Sequence, residues 1–433
     1  MKGFKGYYFF TSDPIEIPRK LTLKVISCGS TKRTEKPTQK GSFQFSNSAI
    51  RILRHFHEID FLKKVSLKKT MDSGKTPVKF LGVRNNKIYM DLKLIIREHA
   101  LQFLPAKSLF KFRGVCRDWK LIISTPFFAH NQSLSFRSLS GLFLQTPGNP
   151  PTFISLDPNS AGVPDPALKF LPVPTNILAS SNGLLCCQAI TGDHAYYICN
   201  PVTSQFKKLP KPTFDHGRDP ALVLIFKPSL LNFVAEFSLV CAFRSADFDD
   251  GTEFETYTSQ DNSWKLSGEI NFAAKKLVPK SGVCVNDCVY WQTYSGGILS
   301  FDLVKNRSQV FHGCYGGNGS LGEMNGKLCN GFVNGHTLIV SVISNIYSNT
   351  MQMSSHARLW DDKVRISLSN EVFDGSAHDD VFSVLYAGSD FALVLGRRNI
   401  YRFDLKTKEV KFVVEAPQCD RKGIPYVNSL VAL

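Results

Sequence analysis

"YYICNPVTSQFKKL", residues Tyr196–Leu209, is the stretch on which the reading of the whole chain turns. A β-branched and aromatic run ends at an Asx residue, a polar turn comes next, and a second strand-like run begins. An Asx side chain closes such a turn by accepting from backbone N–H groups just ahead of it, so the pattern reads as a hairpin. The scheme returns in "ILSFDLVKNRSQVF", Ile298–Phe311, and in "NIYRFDLKTKEVKF", Asn399–Phe412. The Asx positions are Asn200, Asp302 and Asp404, two equal steps of 102 residues. Each hairpin comes after another strand–turn–strand candidate, turning at Asn182-Gly183, Asn286-Asp287 and Ser389-Asp390. Weaker copies lie between them, in "FETYTSQDNSWKL", Phe254–Leu266, and in the stretch that runs to Leu359-Trp360. A step of 102 residues is then two units of about 50, the length of one of the longer types of four-stranded propeller blade.

From residue 135 to 433 there is room for about six such blades. Pro, Gly and Asn punctuate short runs throughout this part, and no long helical period survives. One or two large β-sandwiches would also use many short strands, but equal spacing sustained over about 200 residues favours a radial repeat. The expected fold is a kelch-like β-propeller over residues 135–433.

The segment 91–133 has a different rhythm. Leu94, Ile95, Leu101 and Leu104 recur at spacings that suit one helix face. Pro105 interrupts and suits the first turn of a second helix, where a missing N–H costs nothing. Leu109, Phe112, Val115 or Cys116, Trp119, and Ile122 or Ile123 then step by three or four, which predicts one apolar stripe over about four turns. Lys111, Arg113, Arg117 and Lys120 fall largely off it. Ser124-Thr125-Pro126 offers a cap and a helix-start proline for a third helix. Some 40 residues have too little surface to bury for a robust fold alone. The stripe therefore packs on the β domain or is given to a partner.

The net charge of +16 sits mostly at the front. Residues 1–90 hold 19 Lys+Arg against 6 Asp+Glu, whereas residues 91–433 hold 33 against 30. The expectation for 1–90 is a poorly ordered basic extension. Thr31–Ser42 reads as disordered, Phe56–Leu67 as a short amphipathic helix, and Lys63-Lys64 with Lys68-Lys69 as a faint nuclear-import pattern. Phosphate contacts by this extension are the lesser alternative, so a nucleic-acid partner is disfavoured. No run approaches the ~18 apolar residues of a membrane-spanning helix. The first residues meet Asp13, Pro14 and Glu16 too soon for a secretory signal. Eleven cysteines without Cys-x-x-Cys pairs then imply free thiols in a reducing compartment, cytoplasmic and/or nuclear. Cys284 and Cys288 flank a tight turn but make a weak zinc case without a second ligand pair. The glycosylation triplets at Asn131, Asn306 and Asn318 carry no meaning in the cytosol.

With those residues in view, "LKLIIREHALQFLPAKSLFKFRGVCRDWKLIISTPFFAHN", Leu92–Asn131, resembles a plant F-box. The resemblance rests on Leu104-Pro105-x-Lys107-Ser108-Leu109, on Phe112-Arg113-x-Val115-Cys116-x-x-Trp119, and on Ile122-Ile123-Ser124-x-Pro126-x-Phe128. The rest of the chain, beyond residue 135, resembles the F-box-associated propeller of the same plant proteins: "SSNGLLCC", "YYICNPVTSQFKKLP", "SGVCVNDCVYW", "ILSFDLVKNRS" and "LGEMNGKLC" come in that family's order. The likeness covers residues 92–433 and leaves out 1–90. It implies a multi-domain α plus all-β chain: extension 1–90, F-box 91–133, propeller 135–433. It also implies the role of substrate receptor in a Skp–cullin–F-box ubiquitin ligase, bound to a Skp-type adaptor and through it to a cullin. Such a chain is not itself an enzyme and needs no cofactor or metal; it supplies proximity. The positions that match the adaptor contact are Leu94, Ile95, Leu101, Leu104, Pro105, Leu109, Val115, Cys116 and Trp119. One departure is Lys93 after Leu92, where the family opens with Leu-Pro and acidic residues, which implies a weaker adaptor contact there.

The target itself is not named by the sequence. Propeller strands commit their apolar residues to the core, so variable chemistry is left to loops. The long polar insertions are Lys211–Pro220, Ser245–Thr252 and His312–Gly322. They carry His216, Arg218, Asp219, Asp247, Asp249, Asp250, His312 and Tyr315 as candidate substrate contacts. A propeller-borne enzyme is the alternative, and it needs convergent acid, base or metal groups. The ten His are scattered. Gly317-x-Gly319-x-x-Gly322 fits a dinucleotide fingerprint only literally, since it lies among strands without a βαβ unit.

Overall fold

The computed structural model describes residues 100–433, apart from 147, 157–161, 231–233, 315–318, 345–359, 369–381, 397 and 417–421. The chain divides into two units, Met1–Asn86 and Lys87–Leu433, and only the second holds described residues. The expectations for 1–90, Leu94, Ile95, Tyr315 and Asn318 therefore lie outside them.

A 3-10 turn, Leu101–Phe103, leads into three short helices: α1 (Ala106–Phe112), α2 (Arg117–Ile123) and α3 (Pro126–Ser135). The single four-turn stripe expected from Leu109 to Ile123 is two helices. Gly114, a poor helix former, sits at the break. Cys116 is extended (φ −158°, ψ 165°) and caps α2, its Sγ accepting from Trp119 N at 3.5 Å. Pro105 precedes α1 as its cap, with extended backbone. Thr125 caps α3 as its sequence suggests, its Oγ1 accepting from Phe128 N at 3.2 Å with Pro126 in the first helical turn.

Beyond them the described residues form twenty-three strands in six antiparallel sheets. β1 (Gly141–Leu144) and β2 (Thr152–Ser155) come first. Blade 1 is β3 (Thr175–Ser181), β4 (Leu184–Ala189), β5 (Tyr196–Asn200) and β6 (Gln205–Lys208). Blade 2 is β7 (Ala221–Phe226), β8 (Phe237–Arg244), β9 (Thr252–Thr258) and β10 (Ser263–Asn271). Blade 3 is β11 (Val283–Val285), β12 (Cys288–Gln292), β13 (Gly297–Asp302) and β14 (Arg307–His312). Blade 4 is β15 (Ser320–Met324), β16 (Lys327–Asn334), β17 (Thr337–Ile343) and β18 (Trp360–Ser367). Blade 5 is β19 (Ser383–Ala387), β20 (Phe391–Gly396), β21 (Asn399–Asp404) and β22 (Val410–Glu415). The last strand, β23 (Gly423–Tyr426), pairs with β1, and β1 with β2, so both ends of the propeller close blade 6.

The three repeat residues occupy one structural position. Asn200, Asp302 and Asp404 end the third strands of blades 1, 3 and 5. Each side chain accepts from the turn beyond it: Asn200 Oδ1 from Val202 N at 2.9 Å, Asp302 Oδ1 from Val304 N at 3.0 Å, Asp404 Oδ1 from Lys406 N at 2.9 Å. The step of two blades is thus a step of two sheets.

Apolar side chains fill the gaps between successive blades. On β7, Leu222 and Leu224 face blade 1, packing with Leu178, Leu184 and Tyr196, while Ala221 and Val223 face blade 3, packing with Val289, Trp291 and Leu299. Side chains alternate along a strand, so a strand sandwiched between blades needs an unbroken apolar run, "ALVLIF". The first strands β3, β7, β11, β15 and β19, together with β23, surround a central channel of about 760 Å³.

Candidate functional site

The F-box end comes first. Leu101 and Leu109 are fully buried, Leu104 and Trp119 nearly so, and Pro105 is buried as well. Cys116 is half-buried in its capping role, and Val115 is exposed. The stripe is thus turned inward: Phe112 and Trp119 pack with ring centres 5.7 Å apart, and three helices this short need that face for their own core. Of the positions that match the adaptor contact, Leu101, Leu104, Pro105, Leu109 and Trp119 are thus buried within the chain. The apolar residues left outside are Phe103, Phe110, Val115, Leu121 and Phe127, of which Leu121 is 60% exposed. Lys107, Lys111, Arg117 and Lys120 stand exposed among them, and Asp118 is the sole acidic residue in 100–135. The missed signal was the apolar positions off the stripe, which lie between cations.

Helix α3 joins this module to the propeller. Gln132 Nε2 donates to Leu104 O (3.2 Å) and Asn428 O (3.5 Å), and its Oε1 accepts from Leu430 N at 3.3 Å. Ser133 Oγ donates to Asn182 O at 3.3 Å. His130 is buried edge-on to Phe226, its ring nitrogens have no hydrogen-bond partner, and burial lowers its pKa. The C-terminal segment is caught between the parts: Asn200 Nδ2 donates to Ser429 O (3.0 Å) and Val431 O (2.8 Å). Gly183, at φ +95°, leaves room for Ser429, whose Cβ would lie 2.1 Å from an added Cβ.

Strand directions fix the two ends. Asn182 lies in the β3–β4 turn, Phe226 ends β7 and Asn428 comes just after β23, so α3 sits at the end where the first strands finish. The links between blades lie at the opposite end, as does the β8–β9 turn. The insertions Lys211–Pro220 and Ser245–Thr252 therefore open on the face away from the F-box, and the described ends of His312–Gly322, where β14 finishes and β15 starts, lie at that same face.

Within those insertions the candidates part company. The candidate His216 lies inside: its side chain is 1% exposed and both ring nitrogens are occupied, Nδ1 by Tyr196 OH at 3.0 Å and Nε2 by Glu255 Oε2 at 2.8 Å. Glu255 also accepts from Thr213 N at 3.0 Å, and despite burial these contacts hold its carboxyl below the usual range. With Gln188 Nε2 donating to Gly217 O at 2.9 Å, His216 staples the loop down. Arg218, Asp247, Asp249, Asp250 and His312 are exposed, and Asp219 is half-buried. Asp250 takes Lys275 at 2.8 Å, and Asp249 lies 3.9 Å from Arg244.

The remaining motifs resolve structurally. Cys284 pairs with Val289 and Val285 with Cys288, so in this hairpin the two thiols point to opposite faces and share no metal. Among the described residues no cluster of His, Cys, Asp and Glu could hold a metal ion, and no helix is long and apolar enough to cross a membrane. Gly322 lies in β15, where a Cβ would come within 2.0 Å of Ala387 O in blade 5. Its glycine serves blade packing.

The described residues thus place a small helical module at one end of a propeller and long loops at the other. Residues 94–131 match the F-box domain, and residues 159–320 match the F-box associated beta propeller domain. An F-box protein of Arabidopsis thaliana is 40% identical over 111 residues, 25% of this chain and 30% of that one. F-box only protein 6 of Arabidopsis thaliana is 26% identical over 269 residues, 58% of this chain and 53% of the relative. A further Arabidopsis thaliana F-box protein is 30% identical over 225 residues, 47% and 52% of the two chains. The chain thus spans about half or less of the length of these relatives. It is an F-box protein of the plant kind with a C-terminal F-box-associated propeller.

Proposed function

We propose that this chain is the substrate receptor of a Skp–cullin–F-box ubiquitin ligase. The observation that carries the reading is the arrangement of an F-box at one end of the propeller and the long loops at the other. The adaptor docks on the outer F-box face, where Phe103, Phe110, Val115, Leu121 and Phe127 stand exposed among cations. Aromatic and aliphatic anchors on short helices suit a helix-in-groove contact, and the cations suit an acidic adaptor surface. Leu104, Leu109 and Trp119 support that face from beneath. Through the adaptor the chain meets a cullin, and the propeller holds a protein target. The chain performs no bond chemistry; it raises the effective concentration of a target lysine beside the ubiquitin-conjugating enzyme. Nine free thiols among the described residues agree with action in the cytoplasm or nucleus.

The test is co-purification of the full chain with a Skp-type adaptor, and calorimetric titration of the pair. Val115→Asp with Leu121→Asp should abolish binding while the fold stays intact. Unchanged affinity in that variant refutes the docking face, and no affinity in the unaltered chain refutes the receptor role.

A further inference from the structure

At the loop end, blades 2 and 3 share a strap. Residues 272–278 cross from the end of β10 to the top of β12 and are fixed by backbone bonds. Asn271 Oδ1 accepts from Ala273 N and Ala274 N, both at 3.0 Å. Thr252 Oγ1 donates to Ala274 O at 2.5 Å. Tyr294 N donates to Lys276 O at 3.0 Å, and Val278 N to Gln292 O at 2.8 Å. Three aromatic rings stand up along this fixed strap: Phe248 is 47% exposed, Phe272 56% and Tyr294 63%. Phe248 and Phe272 meet edge to face at 6.0 Å, and Lys276 Nζ lies 5.6 Å from the centre of the Tyr294 ring. Among the described residues of the propeller, the other exposed aromatics, Phe206 and Phe412, lie on outer strands. Rigid aromatics grouped on a loop surface are the usual hot-spot composition of an interface, because they offer large area at small entropic cost.

Charge gives the direction. The link 272–282 holds Lys275, Lys276 and Lys280 and no acidic residue. Lys275 is taken by Asp250 at 2.8 Å. Lys280 reaches the channel lining, where Lys422 also stands. Among the described residues of that lining the two carboxylates, Glu323 and Asp390, lie toward the F-box end, and Asp390 is bonded to Lys406 at 2.8 Å. The strap thus runs from an aromatic ridge inward to a cationic channel mouth, while Asp247 and Asp249 edge its outer side.

We propose that this ridge and mouth are the target-binding site, and that they take an extended acidic peptide segment bearing aromatic or aliphatic side chains. Its apolar groups lie on Phe248, Phe272 and Tyr294, and its carboxylates point inward to Lys276, Lys280 and Lys422. This rests on the reading that the propeller holds the target.

The probe is a fluorescein-labelled random copolymer of glutamate and tyrosine, read by fluorescence anisotropy with the full chain. The copolymer should bind, and rising NaCl should weaken it. Phe272→Ala with Tyr294→Ala, and separately Lys276→Glu with Lys280→Glu, should each raise Kd about tenfold or more, with melting temperature unchanged. Phe248→Ser tests the ridge again should the first pair lower stability. Equal binding of polyglutamate, or tighter binding of a lysine–tyrosine copolymer, overturns the proposal, as does copolymer affinity that none of these changes reduces. Adaptor titration on the same samples separates the two readings. Adaptor affinity kept while the ridge variants bind copolymer normally sinks this site alone; loss of adaptor affinity in the unaltered chain sinks the receptor role.

Discussion

Asn200, Asp302 and Asp404 close equivalent turns, yet the tertiary structure loads them very differently. Asn200 is fully buried. Its Oδ1 accepts from Val202 N at 2.9 Å, and its Nδ2 donates to Ser429 O at 3.0 Å and Val431 O at 2.8 Å. Asn200→Ala leaves one N–H and two carbonyls without these partners, in a place closed to water. A buried group left unpaired costs about 1–3 kcal/mol. Three such groups set a range of about 3–9 kcal/mol, and a water entering the vacated space holds the loss near the lower end. At about 2–4 °C per kcal/mol for a large domain, melting should fall by roughly 6–12 °C. Asp404 makes only local turn bonds at an exposed site, Oδ1 accepting from Lys406 N and Thr407 N. Asp404→Ala should therefore cost far less.

The assay is thermal and urea denaturation of the unaltered chain, Asn200→Ala, Asn200→Asp and Asp404→Ala side by side. Asn200→Asp keeps the shape and the turn bond but turns a carboxylate oxygen on two carbonyls, so it should behave like the alanine variant. Because Ser429 and Val431 neighbour Leu430, which is bonded to Gln132, the damage should reach the F-box seat. Hydrogen exchange of the 427–433 amides should accelerate in the Asn200 variants only. Asn200→Ala no more damaging than Asp404→Ala would refute the claim that this residue ties the chain's end to blade 1.

Three further outcomes are expected. Leu109→Ala, in the F-box core, should cost about 2–5 kcal/mol of stability, whereas Val115→Asp with Leu121→Asp should leave the melting curve in place and remove adaptor binding in calorimetry. His130 is buried and neutral with a pKa below 6.5; the unfolded chain takes up this proton first, so its stability contribution is present above about pH 6.5 and is lost as pH falls below it. His130→Phe should flatten stability between pH 7 and 5, a window that stays clear of the lowered carboxyls of Glu255 and Asp404, which lose their contribution only at more acidic pH; an unchanged slope refutes the assignment. Gly183→Ala should destabilise the blade 1–blade 6 seam and melt well below the unaltered chain, because φ is +95° and the new Cβ would stand 2.1 Å from Ser429 Cβ; an unaffected melting temperature counts against that contact.

Much of the fold was legible in the residues because propeller order is local. Each blade is a run of neighbouring antiparallel hairpins, and hairpin turns are written in Asn, Asp and Gly. The turns at Asn182-Gly183 and Asn286-Asp287 take the positive φ those residues tolerate. The equal spacing of Asn200, Asp302 and Asp404 counted blades because each blade repeats one local design. Thr125 and Pro126 announced α3 for the same reason. The cut at Gly114–Cys116 was harder, since a three–four apolar rhythm continues through it on both sides.

What the sequence by itself determined, then, is the repeat, the blade number, the F-box segment and the set of long loops: all are properties of short stretches and their spacing. Only the tertiary structure decided which face each side chain takes. An apolar stripe says that a helix has something to bury, but not whether it buries it against its own chain or a partner, and Leu104, Leu109 and Trp119 turned inward. A histidine in a polar loop reads as exposed, yet Tyr196 and Glu255, from two different blades, draw His216 into the core. Strand direction around the ring, which no local pattern encodes, put the F-box at one end and Phe248, Phe272 and Tyr294 together at the other. Burial and juxtaposition depend on residues far apart in the chain, and they are fixed only when the last strand closes the ring on the first.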